Sequence, residues 1–155
     1  MVAAWRLGVP IHEATIVPGR NSLGDRFAGR VMHQHLFRGV NLAIDQMTDR
    51  ARIRAEKNVL ICLAGPAAQW RRRRSSWRSY HGLGDHEVAV DLAFHLYGHE
   101  DVANAYLRWL ELRADRLVDD DWPLVAACAE HLLSRKTLNR SEIAEIMTGG
   151  PYPLP

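Results

Sequence analysis

The sequence predicts a mainly α-helical fold with a small β region near the amino terminus. Two patterns carry that expectation. From about Thr48 onward, apolar residues recur at the three- and four-residue spacing of a helix buried on one side. Between Ile11 and Met32, short β-forming runs are instead separated by glycine, proline and asparagine. Size adds a bound: 155 residues suffice for one domain that buries most of its apolar surface and fall short of two ordinary ones. A single domain over residues 1–148 is therefore expected, followed by a loose tail at 149–155, where three prolines and two glycines crowd the end of the chain.

Val2 to Leu7 reads as a helix stopped by Gly8 in a left-handed cap, with Pro10 shortly after. It is under two turns long and has no amino-terminal cap, too little to be stable alone. Ile11 to Val17 is a strand broken by Pro18-Gly19 and by the turn formers Asn21, Ser22 and Gly24, with Phe27 to Met32 as its partner. Thr48 caps a helix through Ala64, which either ends at Gly65-Pro66 or continues as a kinked turn to Trp70. Val88, Leu92 and Leu96 make the apolar stripe of a second helix closed at Gly98. A third has the clearest stripe, in Ala103, Tyr106, Leu107, Leu110, Ala114 and Leu117. Leu124, Val125, Cys128 and Leu132 form a fourth after Trp122-Pro123, where proline suits a first helical turn. Asn139 with Glu142 forms a capping pair for a last short helix through Met147.

Composition excludes several classes of function. The longest apolar run, Val59 to Ala64, is far short of the ~20 residues a spanning helix needs, so no membrane segment is expected. Cys62 and Cys128 are two and far apart, which gives no disulfide framework. With no secretory leader pattern, a cytoplasmic location is expected. A formal net charge of +2 is too small for a dedicated nucleic-acid binder. No Gly-x-x-x-x-Gly-Lys-Ser/Thr run is present, so no nucleotide site is expected.

Several residues invite a chemical reading. His12-Glu13, His86-Glu87 and His99-Glu100 begin like a zinc-binding His-Glu-x-x-His, but the fourth residue after each histidine is Ile16, Val90 or Ala103. Each pair therefore reads as ordinary surface residues. Asp91, His95 and His99 recur every fourth residue and could line one helix face, as His33 and His35 could one side of a strand; both read as solvated polar positions. Asp85, after Gly84 and before an apolar periodic stretch, reads as a helix cap. Trp70 to Arg74, with Trp77, Arg78 and Tyr80, interleaves cations and aromatics and reads as an exposed loop. An acidic protein or peptide is its next expected partner, ahead of single-stranded nucleic acid. The cysteines lack a neighbouring base and read as buried packing residues.

Taken in order, Val2 to Gly8, Ile11 to Gly19 with Ser22-Leu23-Gly24, the small-residue run Leu60 to Gln69, and Gly84-Asp85-His86 to Ala93 resemble the peptidase domain of FtsH-type ATP-dependent zinc proteases. In that family a His-Glu-x-x-His helix runs into the segment that Val2 to Gly8 matches, and an acid usually stands where this chain has Gln69. The resemblance spans roughly residues 2 to 147. It implies an FtsH-peptidase-like helical domain, protein or peptide substrates, a separate ATPase module, room for an oligomer, and hydrolysis of peptide bonds by a zinc-activated water. It also implies that Asp85 is the third zinc ligand. The two zinc-binding histidines are absent from the 155 residues, so the chain as it stands is expected to be inactive and to hold no stoichiometric zinc. The reading frame is then expected to continue upstream into the missing motif. The alternative is a non-catalytic pseudo-peptidase that serves as a binding or assembly module, and a weaker alternative is nucleic-acid binding through the Arg-rich loop from Trp70 to Tyr80.

Overall fold

The computed structural model describes residues 1–20, 24, 26–36, 48–72 and 83–149. The fold is mainly α with a small β region near the amino terminus: six helices and five short strands among the described residues. No described helix is long and apolar enough to cross a membrane. Contacts divide the chain into two compact units, Met1–Gln34 with Asp121–Pro155, and His35–Asp120.

In the first unit, α1 (Val2–Arg6) ends at Gly8, whose φ of 67° is the left-handed geometry expected from sequence. The chain then enters β1 (Ile11–Thr15). Pairing with β4 (Arg30–His33) is antiparallel, and a bulge between Ile11 and Glu13 shifts the register, so that Ile11 and Ala14, three positions apart, are both buried. The expected partner strand Phe27 to Met32 is in fact divided. Arg26–Phe27 (β3) pairs with Gly19–Arg20 (β2) in a separate ribbon, and Gly29 marks the break: a Cβ there would lie 2.8 Å from the Thr15 carbonyl oxygen. Asn21 and Ser22 lie outside the described residues, as do residues 150–155 of the expected tail.

The other side of β1 is taken by β5 (Thr137–Asn139), a strand that sequence reasoning missed. Three residues carry too little periodicity to be seen, and their partner is over a hundred positions away. Leu138, opposite Ala14, is fully buried, and Thr15 Oγ1 lies 2.8 Å from Thr137 Oγ1. Two helices flank this strand, α5 (Trp122–Arg135) and α6 (Arg140–Met147). Asp121 precedes α5 without capping it, because its carboxylate instead accepts from Arg6 Nε at 3.0 and 2.9 Å, which ties α1 to the start of α5. Asn139 and Glu142 form the expected capping box on α6. Asn139 Oδ1 accepts from Ser141 N at 2.9 Å and Glu142 N at 3.1 Å, and Glu142 Oε2 accepts from Asn139 N at 2.8 Å.

The second unit consists of α2 (Asp49–Arg72), α3 (Leu83–Tyr97) and α4 (Glu100–Asp120). Thr48 Oγ1 accepts from Ala51 N at 3.2 Å, the cap its sequence position implied. Of the two continuations left open at Gly65-Pro66, the helix takes the longer one and runs on to Arg72. The α4 stripe is buried at Ala103, Leu107, Leu110, Ala114 and Val118. On α3 the buried stripe is Ala89, Ala93 and Leu96, rather than Val88, Leu92 and Leu96; Val88 is 44% exposed. Hydrophobicity alone favours the larger residue, but alanines allow closer helix approach, and packing against both α2 and α4 selects them. Glu56 is paired with Arg113 and accepts from Tyr106 Oη at 3.4 Å, while Arg71 is paired with Asp119, so α2 and α4 run in the same direction.

Because the capping box starts α6 right after the β5 pairing, Asn139→Ala is expected to cost about 1 kcal/mol. Urea unfolding monitored by circular dichroism measures it, and a change below a few tenths would show that the box contributes nothing.

Candidate functional site

Asp85 lies in the second unit, where α3 begins against the carboxyl-terminal half of α2. It is the third residue of α3 and thus sits inside the first turn, not at the cap position assigned from sequence. There a carboxylate still favours the positive end of the helix. The residue is exposed, yet its carboxyl leans back onto α2: Oδ2 is 4.0 Å from where a Cβ would stand at Gly65. Burial against this wall raises the Asp85 carboxyl above the ordinary carboxylate value. Glycine at 65 leaves the carboxyl its room, and a side chain larger than alanine would displace it. Gly65 belongs to the small-residue run Leu60 to Gln69, so two segments separate in sequence meet at one point.

Cys62, one turn before Pro66, faces the same carboxylate. Its thiol is pushed up to about 12, first by burial and then by the negative charge of Asp85. Such a thiol stays protonated near neutrality and is neither a nucleophile nor a ready metal ligand. Cys128, in the first unit, is buried and pushed up to about 11, chiefly by burial, in keeping with its reading as a packing residue. Zinc needs several converging donors, and among the described residues no group of three His, Cys, Asp or Glu converges. One carboxylate beside a protonated thiol does not fit a zinc centre.

A cleft of about 390 Å³ opens beside Asp85 between α2 and α4, with the first turn of α3 at its edge. Its deep part is apolar, formed around the buried Leu63 and Ala114, with Pro66 and Ala67 extending the α2 wall. The half-exposed Trp70 and the exposed His86 stand at the rim, and α4 contributes Arg108, Glu111 and Asp115. Arg108 Nη1 lies 3.2 Å from Glu111 Oε2, so those charges pair with each other. Asp115 is different. Its carboxyl is raised by burial, then by the charges of Asp119 and Glu111, with Arg108 opposing.

The α4 residues of this cleft were missed from sequence. Arg108, Glu111 and Asp115 recur at helical spacing beside the buried stripe, a signal that places them on one face but cannot show what that face meets. The remaining expected positions do not gather here. His12-Glu13 lies on β1, His33 ends β4 with His35 beyond it, and His99-Glu100 falls at the start of α4. Asp91 and His95 share α3, but Gly98, with φ 65°, ends that helix before His99, so the three do not line one helix face. Of the basic aromatic segment, Trp70 to Arg72 close α2, and Arg71 pairs with Asp119. Arg73, Arg74, Trp77, Arg78 and Tyr80 lie outside the described residues.

No protein-family model and no curated protein matches this chain.

The raised Asp85 carboxyl gives a stability signature with a definite sign. A carboxyl whose folded value lies above its unfolded value of 3.8 costs nothing while both states are protonated and opposes folding once the pH rises through the folded value. Asp85→Asn is therefore expected to be more favourable, relative to the parent, at pH 7 than at pH 3, in paired thermal melts. A pH-independent difference would show that the carboxyl is ordinarily solvated.

Proposed function

We propose that this chain is a peptidase domain of the FtsH type that carries the third-ligand carboxylate, Asp85, and does not hydrolyse peptide bonds with its own residues alone. The observation that carries the reading is the approach of Asp85 to Gly65. The resemblance rests on the small-residue helix and on the Gly84-Asp85 helix start, and these two pack against each other with the carboxylate between them. A raised carboxyl in a partly covered position is also the kind of perturbed group that collects at functional sites. Protein or peptide would be the substrate, and hydrolysis would require the His-Glu-x-x-His pair to be supplied from outside these 155 residues.

A second reading, a non-catalytic pseudo-peptidase that binds peptide, is favoured by the cleft beside Asp85, which is a formed concavity with an apolar interior and a polar rim.

Metal stoichiometry tests the first reading. The 155-residue chain is expected to retain no stoichiometric zinc after dialysis. Extended in frame by a His-Glu-x-x-His helix ahead of Val2, it is expected to hold one zinc per chain and to cleave casein. In that extended protein Asp85→Asn should lower zinc affinity at least about tenfold, since a ligand and not merely a helix-end charge is lost. Full zinc occupancy and activity in the Asn variant would refute the ligand role, and an extended protein that binds no zinc would favour the pseudo-peptidase.

A further inference from the structure

We infer that the cleft between α2 and α4 receives a lysine or arginine side chain of a peptide, with Asp115 as the acceptor of its charge. The word peptide rests on the reading proposed above, whereas the preference for a cation rests on the cleft itself. Leu63 and Ala114 make its depth apolar, and Trp70 stands at its rim with an aromatic face, 46% of the residue exposed. Those surfaces suit the aliphatic stem of a long basic side chain and, at the tryptophan, the cation itself.

The charges on α4 then decide what the end of the side chain must be. Arg108 and Glu111 pair with each other at the exposed rim. Asp115, an exposed residue, has no ion pair with a described residue, and its carboxyl is raised by partial burial and by the nearby charges of Asp119 and Glu111, which outweigh the opposing Arg108. A cation entering the cleft relieves that repulsion, while an acidic side chain would add a third negative charge to it. An uncharged side chain would fill the apolar depth and gain nothing from Asp115. At about 390 Å³ the space holds one such side chain with the adjoining backbone and is too small for a folded partner.

The position of the cleft gives the preference a use. His86 lines it and directly follows Asp85, so a basic residue anchored here would hold the peptide backbone next to the Asp85 carboxylate.

A titration followed by NMR of the tryptophan indole N–H signals tests this, with the Trp70 signal assigned through Trp70→Phe. The probes are acetyl-Gly-Ala-Lys-Ala-Gly-amide, the same peptide with norleucine or glutamate in place of lysine, and n-butylamine. The lysine peptide is expected to shift the Trp70 signal and to bind about fivefold more tightly than the norleucine peptide, the size of a partly exposed ion pair together with a cation–π contact. The glutamate peptide should bind least. Asp115→Asn should erase the preference for lysine while leaving the norleucine peptide unaffected, and 0.5 M salt should reduce the same difference in the parent. Equal binding of the lysine and norleucine peptides, or a preference that survives Asp115→Asn, overturns the inference. Butylamine binding as tightly as the lysine peptide overturns only the peptide assignment, and with it the support this cleft lends to a peptide-handling domain. Zinc uptake by the extended protein is a separate measurement that none of these outcomes decides.

Discussion

The close packing of α3 against α2 and α4 through alanine is the constraint on which the second unit depends. Ala55, Ala89, Ala93 and Ala103 are all fully buried. With methyl groups at the contacts, helix axes can approach to the near end of the usual range of about 8–10 Å. Larger residues at these positions would separate the helices. The first turn of α3 would then no longer bring Asp85 to Gly65, and the cleft flanked by Leu63 and Ala114 would lose its depth. Leu60 and Leu110, buried at 2% and 0% exposure, supply much of the apolar stabilisation, of order 2 kcal/mol each. The alanines contribute little burial energy and instead set the spacing.

The first unit is organised by a different kind of contact. Pairing β1 with β5 joins residues 13–15 to residues 137–139, and closing so long a loop is entropically costly. Several interactions at the same place offset that cost. Leu138 is buried against the sheet, Ile16 N donates to the Lys136 carbonyl at 2.9 Å, the Thr15 and Thr137 hydroxyls meet, and the capping box starts α6 immediately afterwards. Arg6 and Asp121 add a bidentate pair between α1 and α5. A strand of only three residues persists because both of its ends are fixed.

Charge is distributed unevenly between support and site. The ion pairs Arg113–Glu56, Arg71–Asp119 and Arg135–Glu142 each satisfy a carboxylate that joins two elements. In Glu142 the backbone N–H of Asn139 and the Arg135 guanidinium lower the carboxyl below its ordinary value. Asp85 and Asp115 move the other way. Both are raised, and both stand at the same end of the three-helix unit, around the cleft.

What was legible in the sequence was whatever local chemistry decides. The helices after Thr48, the Thr48 and Asn139 caps, the left-handed Gly8 and Gly98 and the strand at Ile11 follow from periodicity, hydrogen-bonding side chains and backbone freedom within a few residues. Asp85 was also visible, as an acid at a helix start, although not its place within the first turn against Gly65. Other features depended on partners distant in the chain. The choice of Ala89 and Ala93 over Val88 on α3 depends on two neighbouring helices, and the strand at Leu138 on a partner near the amino terminus. The cleft depends on Trp70, His86 and Asp115 arriving together from three helices. The sequence by itself determined the course of the longer helices, their Thr48 and Asn139 caps and the strand at Ile11, because those energies are local. Which face each helix buries, and which side chains come to line one cleft, was decided only by tertiary packing, because steric fit and charge repulsion exist only once the elements are side by side.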